Sequence, residues 1–547
     1  MVGAGILLTR LTGLARQRVF AHYFGLGAEA DAFSAAFRIP NVLQNLFGEG
    51  ALSASFIPVY ASLVAQGAGR DADRVAGAVL SILALVVSAI VLAGVLATPL
   101  LIDLIAPGFD GGQRALTIQL VRILFPGAGL LVLSAWCLGV LNSHRRFLLS
   151  YTAPVMWNAA MIATLVMFGG QATLPRLAVI LAWGSVAGSA LQCAVQLPAV
   201  VRVAPGLRWP FAAAGEGRAD AHMRASPNLR PDVTIRTHVR DVVRNFVPSF
   251  VSRGVVQISA YVDTLLASLL PTGAVAGLMN AQLLYTLPIS LFGMSVSAAE
   301  LPALSAIASA PGMSTIPGGA GADPGVADVL RRRLDAGLRQ IAFFVVPSAV
   351  AFIALGDVIA AAIFETGRFG REDSLYVWAI LAGSAIGLLP STLGRLYSST
   401  YFALRDTRTP LRYAIVRVLL GIVMGYVFAI PLPGWLGIPA MWGAAGLAAA
   451  GGLAGWIEML LLRRRMNQRI GGTGVPARYA ATLWGSAIAA GAVAWAMKLA
   501  LPPVHPAVAA ISVLGAYGVS FLLATLAFRL PEARMALRRV YRARPPG

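Results

Sequence analysis

The stretch DAFSAAFRIPNVLQNLFGEGALS, residues 31–53, decides how this chain is to be read. Most of it is apolar enough to enter a membrane, yet Asp31, Ser34, Arg38, Asn41, Asn45, Glu49 and Ser53 recur through it at steps of three or four. Those steps put all seven on one face of a helix. A charge inside a bilayer costs roughly 2.5–3.5 kcal/mol on insertion scales, so such residues face a water-filled cavity or one another. Two readings follow: the stripe is a cavity wall, or it is a packing seam held by polar pairs such as Asp31 with Arg38. A stripe of roughly six turns is too long for one satisfied core residue, which favours the cavity.

Composition places the stretch in its setting. The 547 residues are 58% hydrophobic and only 12% charged, with a mean hydropathy of +0.75. Soluble domains carry about 25% charged residues. The deficit means that most of this chain meets lipid or other apolar helices. The formal charge of +20 comes almost wholly from arginine, Lys498 being the single lysine. Short arginine clusters between apolar runs form the positive-inside pattern of a membrane protein, and no nucleic-acid partner is expected. Cys137 and Cys193 lie within apolar runs and give no disulfide framework or thiolate site. The five histidines lack HExxH spacing. With no catalytic triad, phosphate-cradling loop or paired-carboxylate spacing either, neither an enzyme nor a metal or cofactor is expected. No cleavable signal peptide is read, because the chain enters at once an apolar segment carrying Arg10, Arg16 and Arg18.

Runs of about 20 apolar residues can span the hydrocarbon. Fourteen are read, near 2–22, 29–65, 75–105, 116–141, 149–169, 175–201, 242–268, 274–306, 338–363, 374–403, 410–431, 437–462, 477–497 and 505–528. The second and eighth are over-long and hold two prolines each, Pro40 with Pro58 and Pro288 with Pro302, so bends or breaks are expected there. Every even-numbered connection is rich in arginine: Arg70 and Arg74, Arg145 and Arg146, Arg202 through Arg244, Arg331 to Arg333, Arg405 to Arg412, and Arg463 to Arg465. This alternation sets both termini in the cytoplasm.

The chain also repeats. Phe37-Arg-Ile-Pro40 is similar to Tyr285-Thr-Leu-Pro288, and the turn from Arg145 to Pro154 sits where that from Arg405 to Pro410 sits six spans later. An even number of spans makes the repeats parallel. The expected fold is an all-α polytopic membrane protein: an N-terminal lobe over 1–203 (spans one to six), a cytoplasmic linker over 204–240, a C-terminal lobe over 241–466 (spans seven to twelve), and spans thirteen and fourteen with a cytoplasmic tail over 467–547.

Candidate binding residues are those whose charge needs a reason. Arginine suits phosphate because its planar fork donates paired hydrogen bonds and stays protonated when desolvated. Arg10 and Arg16 lie in the first span beside the polar stripe; they line the cavity or snorkel to a headgroup region. Six residues apart, they point about 120° from each other and converge only if the helix bends near Gly13 or the cavity is wide. In the second half the intramembrane charges are Arg253, Asp263, Glu300 and Arg395. Asp263 and Glu300 are ion or proton sites, or counter-ions for arginines.

At these residues the chain resembles the MurJ/MviN family of lipid II flippases, of the multidrug/oligosaccharidyl-lipid/polysaccharide exporter superfamily. The resemblance is carried by TRLTGLAR (9–16), FGLGAEADAF (24–33), FRIPNVL (37–43) and GEGALSASFIP (48–58), then by APGF (106–109), FETGRF (364–369) and DTRTP (406–410). It implies two six-helix lobes around a central cavity, with two extra helices forming a groove for a polyprenyl tail. It also implies alternating access that carries an undecaprenyl-pyrophosphate-linked disaccharide-pentapeptide outward across the inner membrane for peptidoglycan synthesis, in contact with membrane lipids and the cell-wall synthesis machinery. The family's cavity arginines fall on Arg10 and Arg16, and its second-span polar residues on Asp31, Asn41 and Glu49. Where the family usually has further arginines this chain has Gln44 and Leu283, and Gln17 stands where an acid is frequent. Arg253 is expected to take over part of that cationic role. The resemblance also sets the start several residues upstream. Two other functions fit the thinner cationic set: an exporter of a different undecaprenyl-linked glycan, and a non-transporting membrane scaffold derived from a flippase.

Overall fold

A computed structural model describes residues 2–47, 49–207, 237–244, 246, 261–308 and 324–534. Among them every regular element is a helix; the sole β-pairing is an isolated bridge between Thr366 and Phe369. Contacts divide the chain into two compact units, Met1–Leu265 and Leu266–Gly547.

The first unit holds α1 (Val2–Phe24), α2 (Ala28–Phe47), α3 (Glu49–Ala65), α4 (Gly69–Leu96), α5 (Thr98–Ile105), α6 (Gly111–Ser143), α7 (Phe147–Phe168) and α8 (Leu174–Val203). Helix α6 lies at its centre, packed on α2, α3, α4 and α8, while α7 joins α8 to α1. Lipid tails are as apolar as leucine, so helices here associate by close fit rather than by escape from water. Glycines supply that fit: a Cβ at Gly188 of α8 would lie 2.9 Å from the Trp157 ring of α7. Polar groups also join the helices, as where Gln192 and Gln196 of α8 donate to the Ser134 hydroxyl of α6 at 3.0 and 2.6 Å.

The second unit holds α9 (Ala274–Pro288), a π-helical stretch (Ile289–Met294), α10 (Ser295–Ala308), α11 (Pro324–Phe364), α12 (Arg371–Ala385), α13 (Leu388–Ala403), α14 (Arg408–Ala429), α15 (Gly443–Ile470), α16 (Ala477–Ala500) and α17 (Pro506–Ala527). Its packing copies the first unit six spans on. The bent pair α12 and α13 takes the place of α6, meeting α9, α10, α11 and α15, and α14 packs on α15 as α7 does on α8. The repeated turn is the same in detail. Arg145 and Arg405 both take left-handed backbone, at φ 59° and 57°. In each case the next amide reaches back to close the preceding helix, Arg146 to the Leu141 carbonyl and Asp406 to that of Tyr401, both at 2.9 Å.

Helices α16 and α17 dock on α11. The Lys498 ammonium meets the Asp357 carboxylate at 2.6 Å, with Arg371 on the same oxygen at 3.1 Å. The Tyr517 hydroxyl donates to the Pro347 carbonyl at 2.8 Å.

By length and composition ten described helices can cross a membrane, or eleven when α12 and α13 count as one span bent by 41°. The first span has its helix, but three arginines exclude it from that test, and the seventh lies largely outside the described residues. Of the over-long spans, the eighth converts to π-helix directly after Pro288, while Pro302 sits inside a helix. In the second, Pro40 and Pro58 both sit inside helices, and Gly48 lies outside the described residues. The third span divides into α4 and α5 at Ala97. The break between α12 and α13 lies just before Pro390, which has no N–H to offer the Ile386 carbonyl four residues earlier. The break is also shaped by contact with α15, where a Cβ at Gly452 would lie 2.6 Å from the Gly387 amide nitrogen. The Trp456 indole donates to the Ile386 carbonyl there at 2.9 Å, satisfying a group the bend exposes.

Candidate functional site

Arg16 sits midway along α1, on the side that packs against α7. Its guanidinium lies over the Trp157 ring at 4.8 Å and the Phe37 ring at 5.6 Å, and its Nη1 approaches the Met161 sulfur at 3.9 Å. The two rings stack on each other at 5.6 Å, and the Trp157 indole is fixed by the Ser185 carbonyl and hydroxyl, both at 3.2 Å. Gly188 leaves the room for that indole. Among the described residues no carboxylate pairs with Arg16. Aromatic faces attract a cation, worth about 2 kcal/mol when desolvated, without cancelling its charge. The arrangement orients a planar fork beside α7 and gives its positive charge no described counter-ion.

The other first-unit candidates surround α2. Arg10 is exposed on α1, one side of the helix away from the aromatic setting. Asp31 is buried; Arg38, Asn41 and Gln44 are half-buried, and Asn45 is exposed. The polar stripe therefore runs from a packed end to an open one along α2. The charged and phenolic groups acting on Arg38 are Asp263 and Tyr261. The Tyr261 hydroxyl also reaches the Ile39 carbonyl at 3.5 Å, which sets residues 261–263 beside α2. The side chain of Glu49, and Arg253 altogether, lie outside the described residues.

In the second unit Glu300 of α10 is met by Arg333 of α11, at 2.5 Å to Nε and 3.4 Å to Nη2. A second group was not read from the sequence as a set. Arg417 of α14 pairs with Glu458 of α15 at 3.3 Å, and both act on Arg395 of α13 together with Tyr285 of α9, whose hydroxyl is 3.1 Å from Ser391. The available signal was Glu458, a lone acid in an apolar run a turn and a half before Arg463. No comparable signal marked Trp157 or Met161, which reach Arg16 across more than 140 residues of chain. Among the described residues no His, Cys, Asp and Glu cluster could hold a metal ion.

Repeated units of long apolar helices define a multi-pass membrane protein. The family described as lipid II flippase MurJ matches residues 20–528, and this chain belongs to it. Among curated proteins it is 31% identical over 467 residues to the lipid II flippase MurJ of Burkholderia cenocepacia, covering 85% of this chain and 82% of that protein. It is 29% identical over 470 residues to the probable lipid II flippase MurJ of Rhizobium meliloti, covering 84% and 78%. Among solved structures it is similar to a lipid II flippase MurJ in an inward closed conformation, with a TM-score of 0.74 at 23% identity over 96% of this chain and 98% of that one.

Proposed function

We propose that this protein is a flippase of the inner membrane that carries the undecaprenyl-pyrophosphate-linked peptidoglycan precursor, lipid II, outward by alternating access, without chemical change to it. Fourteen spans, both termini in the cytoplasm, lobes over 1–203 and 241–466, a linker over 204–240 and a two-helix addition over 467–547 belong to the same proposal. The observation that carries it is Arg16: a membrane-level guanidinium held by two aromatic rings and met by no described carboxylate. A pyrophosphate supplies the missing charge, and the ring-held fork donates to it edge-on. Arg10, Asp31, Arg38, Asn41, Gln44, Glu49 and Arg253 are the further groups proposed to line the path. Asp263 and Glu300 serve as counter-ions to Arg38 and Arg333, on the strength of their positions.

The test is complementation of a conditionally flippase-depleted bacterium. Wild type is expected to restore growth, and Arg16→Ala to fail at normal membrane levels. Losing one charge-assisted contact costs about 1.5–3 kcal/mol, roughly ten- to a hundredfold in affinity. Arg16→Lys rescues partly, because an ammonium lacks the fork. Gln44 and Leu283 favour a second reading, export of another undecaprenyl-linked glycan. Under it the wild-type chain itself fails to complement. Full growth with Arg16→Ala refutes the site.

A further inference from the structure

The repeat provides an internal comparison at the arginine-rich end of each lobe. In the second unit the turn between α13 and α14 carries Asp406. Its carboxylate accepts from the amides of Arg408 and Thr409 at 3.1 and 3.0 Å, from the Thr409 hydroxyl at 2.7 Å, and from Arg469 in the last turn of α15 at 2.7 Å. An anion thus joins the start of one helix to the end of its neighbour. In the first unit Arg145 matches Arg405 in sequence and in its left-handed backbone, and Arg202 occupies the last turn of α8 as Arg469 does that of α15. The position of Asp406, however, is taken by Arg146. The carboxylate is gone and another cation stands in its place.

What remains there is a groove of about 430 Å³ between the start of α7 and the end of α8. Arg145, Arg146 and Arg202 form its rim, and Phe147, Leu148 and Ala199 are among its apolar walls. Among the described residues none of the three guanidinium groups has a side-chain hydrogen bond or ion pair. Leu148 is 53% exposed and Phe147 37%, so the floor continues onto a surface that faces hydrocarbon once the spans are in a membrane. Three unpaired arginines above an apolar slope match an amphiphile with an anionic head and acyl chains, whereas a soluble phosphate has no use for the slope.

We propose that this groove is a binding site for an anionic phospholipid of the cytoplasmic leaflet, its phosphodiester taking the place that the Asp406 carboxylate holds in the other repeat. The site is separate from the Arg16 setting and does not depend on what the protein transports.

The full-length protein, purified in detergent and incubated with equal amounts of phosphatidylglycerol and phosphatidylcholine, is read by native mass spectrometry. Wild type is expected to retain phosphatidylglycerol selectively. Each of Arg145→Gln, Arg146→Gln and Arg202→Gln lowers that retention roughly fivefold. Arg146→Asp restores the internal anion of the other repeat; it is expected to abolish selective retention while raising resistance to heat, a result that mere misfolding cannot give. Arg16→Ala leaves retention unchanged. The proposal is overturned if the triple glutamine variant keeps wild-type selectivity, if Arg16→Ala removes it, or if glycerol phosphate displaces the lipid at equal concentration.

Discussion

Asp357→Asn is the perturbation that best measures how the C-terminal helices are held. Asp357 is 3% exposed, and one of its oxygens receives both Lys498 at 2.6 Å and Arg371 at 3.1 Å. Neutralising it strands Lys498, which is 23% exposed and among the described residues otherwise has only the Trp495 ring, 4.4 Å away. Breaking one side of a buried pair costs about 3–5 kcal/mol. Arg371 is 53% exposed and turns to water, and the indole retains part of the ammonium's interaction, so the lower end, about 3 kcal/mol, is expected. Lys498→Met should cost less, about 1–2 kcal/mol, because Arg371 still covers the carboxylate. Combining Lys498→Met with Asp357→Asn removes both charges of the pair and should cost only about 2–3 kcal/mol, a coupling of about 2 kcal/mol. The assay is unfolding by sodium dodecyl sulfate in mixed micelles, followed by helical circular dichroism. A coupling below about 0.5 kcal/mol would refute the reasoning. The pair α16 and α17 would then be held by apolar fit and by the Tyr517 and Tyr479 hydrogen bonds to α11.

Two further outcomes are expected. Burial raises the Asp406 carboxyl, but hydrogen bonds from the Thr409 amide and hydroxyl and from Arg469 outweigh it and hold the group below the ordinary carboxylate range. A depressed carboxyl stabilises the fold above its unfolded value near 3.9 and loses that contribution as pH falls through its lower folded value. Asp406→Asn should therefore cost about 1–2 kcal/mol at pH 7, and the gap between the two should hold until pH falls past the unfolded value and close only below the lowered folded value. Thermal inactivation half-lives across that range test this; a gap that persists at the acid end contradicts it. After Cys137 and Cys193 are replaced, cysteines introduced at Asp220 and Trp435 should label from opposite sides of the membrane, and same-side labelling would break the proposed span order.

The long apolar runs and the repeat were legible because both are patterns along the chain. The turn at Arg145 and Arg405 could be matched from sequence alone, and the two do share one backbone geometry. The bend between α12 and α13 was not read, although Pro390 stands just beyond it, because the glycine it meets, Gly452, lies more than sixty residues away. The same distance barrier hid the surroundings of the arginines. Arg16 could be singled out as costly, but Trp157 is an ordinary apolar residue until α7 packs on α1. Lys498 stood out as the single lysine, yet its partner is 141 residues earlier. Sequence shows which charges need an explanation; packing between distant helices supplies it.

The meeting of Gly387 with Gly452 has a mechanical consequence. Interlocked side chains resist rotation, because ridges must climb out of grooves before a helix can turn. Where α13 leaves its bend, it touches α15 backbone to backbone, with no side chain on either glycine to engage. Such a contact offers no steric lock of its own. The two axes are fixed instead by polar bonds on either side of it, Trp456 to the Ile386 carbonyl at 2.9 Å and Tyr401 to the Leu462 carbonyl at 3.0 Å.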